Sequence, residues 1–134
     1  MGSDEVTYAD VEAGVRAAIA AYNHAVDDGR TDDVVATYCP DGSCDIKALG
    51  AHEGHDALRA AYAKVVPQLP QRHLVVNTLL TEWSAGEAKA VSDFVFMVRG
   101  ESGWQVSLVG RYRDTLHRAD VGWLFHRREA DFTR

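Results

Sequence analysis

The apolar residues of this chain change their spacing part-way along, and that change constrains the fold more than any single motif. Up to about Val66 they recur every three to four positions; from Arg72 onward they alternate every second position. The first spacing gives a helix one apolar stripe, and the second gives a strand one apolar face. Helices followed by a run of strands is the α+β pattern, with helices collected on one face of a mainly antiparallel sheet.

In the helical half, Thr7 and Asp10 have capping-box spacing, with Asp in place of Glu. Val11, Val15, Ala18, Ile19, Tyr22 and Val26 form one stripe on a helix expected from about Thr7 to Asp28, which Gly29 ends. A short helix over Asp32–Tyr38, a turn at Pro40-Asp41-Gly42 and a brief strand near Cys44-Asp45-Ile46-Lys47 should follow. A loop with Gly50 and Gly54 then leads to a helix over Asp56–Val66, stopped by Pro67. Strands are expected over Arg72–Ser84, Ala88–Arg99, Trp104–Leu116 and Gly122–Asp131. The links at Ala85-Gly86-Glu87 and Gly100-Glu101-Ser102-Gly103 are short and glycine-bearing, as hairpins require. Four consecutive strands make an antiparallel meander with one face to cover, and the three helices are its cover.

The chain has 134 residues, which suits one domain, and 46% of them are apolar, enough for a core. A net charge of -6 argues against nucleic acid as a partner. The late arginines (111, 113, 118, 127 and 128) alternate with aromatic residues and are interrupted by acids, as the two faces of a sheet would be. No apolar run is long enough to cross a bilayer, so no membrane partner is expected. The opening residues, Met1 to Val6, lack the basic and apolar segments of a signal peptide, and Val6 stands where a myristoylation signal requires Ser or Thr. A cytoplasmic address follows, with Cys39 and Cys44 as free thiols and a local disulfide across the turn as the lesser alternative. Six histidines form no metal-binding motif; His52-Glu53-Gly54-His55 reads as a loop and helix start, so no metal and no cofactor are expected.

Three places could carry chemistry. His73, Val75, Asn77, Leu79, Thr81 and Trp83 should share one strand face, placing an imidazole and a carboxamide on an apolar wall. A neutral imidazole there can accept a proton; the plainer reading is a histidine tied to a backbone carbonyl. At the end of the first helix, a turn of 100° per residue puts Tyr22 near the centre of the stripe and Asn23 and Asp27 on its flank. Asp28 falls almost opposite, on the solvated side. A carboxylate such as Asp27, opposing the helix dipole, could hold an imidazole in one tautomer. The closing strands place Tyr112 and Asp114 on one face, His126 with Arg128, and Arg127 with Trp123 and Phe125. A buried arginine among them could steady negative charge; an exposed or ion-paired arginine is the plainer alternative.

The ordered segments Tyr22-Asn23-His24-Ala25-Val26-Asp27, Tyr38-Cys39-Pro40-Asp41-Gly42, Glu53-Gly54-His55-Asp56-Ala57-Leu58, Arg72-His73-Leu74-Val75-Val76-Asn77, Gly110-Arg111-Tyr112-Arg113-Asp114 and Gly122-Trp123-Leu124-Phe125-His126-Arg127-Arg128 resemble the SnoaL-like branch of the nuclear transport factor 2-like superfamily. That branch is similar to scytalone dehydratase, bile-acid 7α-dehydratase and hexachlorocyclohexane dehydrochlorinase. The resemblance implies a cone-shaped α+β barrel, with three N-terminal helices packed on a curved sheet around an apolar pocket. It further implies that Asp27 and His73 form a general-base pair, with Tyr22, Asn77, Tyr112 and Arg128 as substrate-binding residues. The expected activity is elimination from a small apolar or cyclic organic substrate, of the dehydratase or lyase type. An isomerase or cyclase acting on a polyketide- or steroid-like substrate, a non-catalytic ligand carrier and an interaction domain are the alternatives. An enzyme requires Asp27 and His73 in hydrogen-bond reach at a pocket, whereas a carrier requires only the pocket. Outward-facing aromatic residues on the late strands suit a homodimer or higher oligomer.

Overall fold

A computed structural model describes residues 5–133; residues 1–4, and with them most of the opening segment discussed above, lie outside the described residues, as does residue 134. The elements run α1 (Tyr8–Asp27), α2 (Thr31–Ala36), β1 (Tyr38–Ile46), β2 (Gly50–Glu53), α3 (His55–Ala63), β3 (Gln71–Trp83), β4 (Glu87–Gly100), β5 (Gly103–Ala119) and β6 (Gly122–Thr133). The strands form one curved sheet in the order β2-β1-β6-β5-β4-β3. All neighbours are antiparallel except β1 and β6, which are parallel, so the sheet is mainly antiparallel and remains open. The expected α+β architecture, three helices on a curved sheet, is the one observed.

Helix α1 starts where Thr7 and Asp10 bond reciprocally, side chain to backbone, closing the capping box. Gly29, at φ 72°, turns the chain out of it in the left-handed region that suits glycine. The apolar stripe of α1 lies on the concave sheet face: Val11, Val15, Ala18, Ile19 and Tyr22 are buried together with Tyr38, Leu58, Tyr62, Leu116 and Phe125. Among the described residues no helix is long and apolar enough to cross a membrane.

Aligned residues across the sheet set its inner wall in rows. One row is His73, Phe96 and Leu108; the next is Val75, Phe94, Gly110 and Phe132. Then come Ser92, Tyr112, Ala130 and Ile46, followed by Ala90, Asp114, Arg128 and Cys44. A Cβ at Gly110 would overlap the Phe94 ring, so only glycine lets that ring lean over to stack on Tyr112 at 4.4 Å.

Several expected details are corrected. Pro40-Asp41-Gly42 does not end a turn; it is an irregular stretch inside the longer strand β1, where the pairing with β6 slips between Tyr38 and Ser43. The segment expected as a loop around Gly50 contains strand β2, which pairs with β1 from Ser43 to Ile46. Helix α3 ends at Ala63, before Val66. The late strands start and end within a few residues of expectation, and Asp120-Val121 forms the tight last turn, with Ala119 opposite Gly122.

Candidate functional site

Strand β3 enters the sheet beside the C-terminal turn of α1, and this apposition brings Asp27 to His73. Asp27 Oδ1 lies 2.7 Å from His73 Nδ1, and Asp27 Oδ2 accepts the His73 backbone N–H at 2.8 Å. Gln71 Nε2 donates to Asp27 Oδ1 at 3.0 Å. The Asp27 side chain is only 6% exposed and that of His73 15%. Burial works to raise the Asp27 carboxyl, but the His73 and Gln71 donors outweigh it and hold the acid below its ordinary value. An ionised carboxylate only accepts, so Nδ1 carries the proton of the neutral ring and Nε2 is left with its lone pair.

The His73 ring is part of the wall of a cavity of about 200 Å³ that also reaches Tyr22, Tyr62, Gln71, Phe94, Phe96 and Tyr112. Phe96 lies along the ring at a centroid distance of 4.6 Å. Leu108, Ile46, Leu49 and Phe132 make the rest of the wall largely apolar. On its other side His73 borders an open groove between α1 and β3, lined also by Asn23, Asp27 and Thr78. The ring therefore stands between the apolar cavity and the groove.

The SnoaL-like domain model matches residues 7–129. The chain belongs to the SnoaL-like family. None of the curated proteins matches it. Solved structures similar to this SnoaL-like domain include a candidate aromatic ring hydroxylase from Novosphingobium aromaticivorans, 23% identical with a TM-score of 0.84, over 96% of this chain and 93% of the other. A scytalone dehydratase-like protein from the same species is 21% identical with a TM-score of 0.79, over 92% and 84%. LinA is 19% identical with a TM-score of 0.78, over 92% and 86%. At these identities the shared property is the fold.

Two of the expected substrate-binding residues line the cavity of this SnoaL-like domain: Tyr22 from α1 and Tyr112 from β5. The Tyr22 hydroxyl is 2.6 Å from that of Tyr62, which is 2.7 Å from that of Tyr38. Burial pushes all three phenols well above their usual values, and it carries Tyr112 to about 12. They stay protonated as donors.

Arg128 is fully buried but does not form part of that wall. Its guanidinium lies behind the tyrosines, 3.6 Å from the Tyr112 ring centroid, 4.2 Å from that of Tyr22 and 4.5 Å from that of Phe125. Asp114 Oδ1 sits 3.2 Å from Arg128 Nε. The pair is not aligned for a hydrogen bond, and Nη1 and Nη2 have no partner among the described residues. Burial lifts the Asp114 carboxyl to about 6 against the pull of Arg128.

Asn77 is elsewhere. The pairing of β3 with β4 slips between Val76 and Leu79, and Asn77 sits in the bulge at φ 57°. Its side chain points outward and donates to Asp93 at 3.1 Å. The extra residue reverses the alternation, so Thr78 and Leu80 turn inward while Leu79 is exposed, contrary to the single face expected. A further slip between Leu80 and Glu82 restores it, so Trp83, opposite the buried Ala88, stands on the helix side against Tyr8. Another slip, between Thr115 and Leu116, reverses the alternation on β6. It puts Phe125 and Arg128 inside together, and leaves Arg127 on the surface beside Glu129.

Other contributors were not singled out from the sequence. Gln71 stands two residues before His73, and period-two spacing extended by one step would have placed it on the same face. Tyr62 follows Leu58 at helical spacing, so its burial was legible. Its hydroxyl partners were not, because they come from α1 and β1. Among the described residues no three His, Cys, Asp or Glu side chains converge as metal ligands. Cys39 and Cys44 are both buried free thiols.

Proposed function

We propose that this protein is a lyase of the dehydratase type, removing a proton from, and then a leaving group from, a small, mainly apolar cyclic organic molecule. The observation that carries this reading is the 2.7 Å contact between Asp27 Oδ1 and His73 Nδ1 on a ring that walls the apolar cavity. A simple carrier has no use for an oriented imidazole with a free Nε2.

In this mechanism Nε2 of His73 removes a proton from a carbon next to an activating group. Asp27 stabilises the imidazolium that results, and the bond to the leaving group breaks as the carbon-carbon double bond forms. The Tyr22-Tyr62-Tyr38 hydroxyl chain keeps one proton beyond its two internal bonds to donate to the developing negative charge, and the Arg128 cation acts on that charge through the rings of Tyr22 and Tyr112. The departing hydroxide takes the proton held by the His73 imidazolium and leaves as water, which restores the neutral ring. General-base catalysis supplies roughly 10²–10⁴-fold. Orientation within the largely apolar cavity supplies the remainder. Isomerisation and cyclisation start with the same proton abstraction; likeness to the scytalone dehydratase-like protein favours elimination. A cytoplasmic, oligomeric enzyme that needs no metal or cofactor completes the reading.

The test is turnover of a panel of hydroxylated ring compounds by wild type, His73→Ala and Asp27→Asn. Wild type should form dehydrated products, His73→Ala should lose at least about 10²-fold, and Asp27→Asn should fall with it because the ring loses its tautomer. Equal turnover by wild type and His73→Ala would remove His73 from the mechanism.

A further inference from the structure

The Asp27 carboxylate also holds Gln71, by one bond of 3.0 Å beside the two it makes to His73. A carboxylate has no proton to offer, so the end of the Gln71 carboxamide facing Asp27 must be the NH2. The amide cannot flip without setting its carbonyl oxygen against Asp27 Oδ1. The acceptor end, Oε1, is thereby fixed. No donor of the protein reaches it among the described residues, while the residue is 9% exposed and belongs to the wall of the cavity. Gln71 and His73 are two apart on β3 and share the inner face. The reacting end of the cavity thus offers two acceptors side by side, the lone pair of His73 Nε2 and the carbonyl of Gln71. The available donor is the one proton that the Tyr22-Tyr62-Tyr38 hydroxyl chain does not use internally.

We propose that Gln71 is a positioning and specificity residue of this site: its NH2 pins the Asp27 carboxylate, and its Oε1 accepts a hydrogen bond from a hydroxyl group of a cyclic substrate. This deepens the lyase reading and rests on the same cavity being the substrate site. A ring bearing a free hydroxyl near the carbon that loses its proton is selected. The same ring with that oxygen methylated leaves Oε1 unpaired and is disfavoured. Oε1 is accessible, so water can stand in for the missing donor and the discrimination is the few-fold worth of one hydrogen bond.

The test separates binding from turnover. Titrating the protein with 2-naphthol and with 2-methoxynaphthalene, by fluorescence, gives the hydroxyl preference as a ratio of affinities. Wild type should favour the hydroxyl compound. Gln71→Leu should reduce that ratio by about five-fold, the value of one hydrogen bond. Carbon-13 titration of the Asp27 carboxyl supplies a second readout: with one donor gone, Gln71→Leu should titrate higher than wild type. Should the leucine variant not fold, Gln71→Met offers the same comparison with the side-chain length kept. A leucine or methionine variant that retains the wild-type ratio, or leaves the Asp27 titration unmoved, overturns the assignment. Because no step requires catalysis, a His73→Ala enzyme with full turnover would sink the lyase reading while leaving this result standing.

Discussion

Arg128 shows how much a single side chain can depend on its surroundings. It is fully buried, against three aromatic rings and one carboxylate. Charges are taken out of water at high cost, and removing one partner leaves the other stranded. Arg128→Met should therefore cost about 3–5 kcal/mol of stability, read from urea unfolding. Arg128→Met combined with Asp114→Leu should recover more than half of that loss, because no buried charge remains. If the double variant is as unstable as the single one, the cost lies in ring packing and not in the stranded acid. Arg128 and Asp27 were both visible in the sequence as candidates. That Arg128 would stand behind the cavity wall was not, since the slip near Thr115 decides which of two neighbouring arginines faces inward.

Elements were legible where one spacing persisted and illegible where a single residue interrupted it. The stripe on α1 and the capping box at Thr7 were both present in the sequence and are both formed. Strand β2 was not foreseen because four residues carry too little pattern to outweigh two glycines. The bulge at Asn77 was not foreseen because nothing local distinguishes Asn77 within an alternating run; the pairing with β4 produces it. One contact between elements can be tested directly. Gly14 on α1 meets Trp123 of β6 so closely that a Cβ would overlap the indole. In an isolated helix, Gly→Ala stabilises by about 1 kcal/mol. Here Gly14→Ala should instead destabilise by about 1–3 kcal/mol through overpacking, lowering the midpoint of thermal unfolding. A raised midpoint would show that the indole can move aside.

For the molecule as a whole, the two faces of the sheet differ. The inner face is covered by helices and holds the cavity. The outer face carries the aligned row Leu74, Val95 and Val109 and, beside it, Met97 and Val106. Leu74 is 48% exposed and Val106 57%, so this apolar patch is open to solvent. A second copy of the chain over this patch is the proposed oligomer. Sedimentation velocity should find a dimer or larger species in the wild type, and Val106→Lys with Val109→Lys should give a monomer with an intact fold. A monomeric wild type at high concentration would exclude it.

Spacing of apolar residues by itself determined the fold class and the helix-then-sheet order, and it put Asp27 and His73 among the candidates that the family resemblance then paired. These are local properties: each follows from which side of one helix or one strand a residue occupies. The tertiary structure alone decided which candidates meet. Strand pairing inserts an extra residue at Asn77 and slips again after Leu80 and near Thr115, and each event reverses the side chains up to the next slip or the strand end. For the same reason, the Gln71 bond to Asp27 and the Tyr22-Tyr62-Tyr38 hydroxyl chain join residues distant in sequence, and no spacing within one element records such contacts.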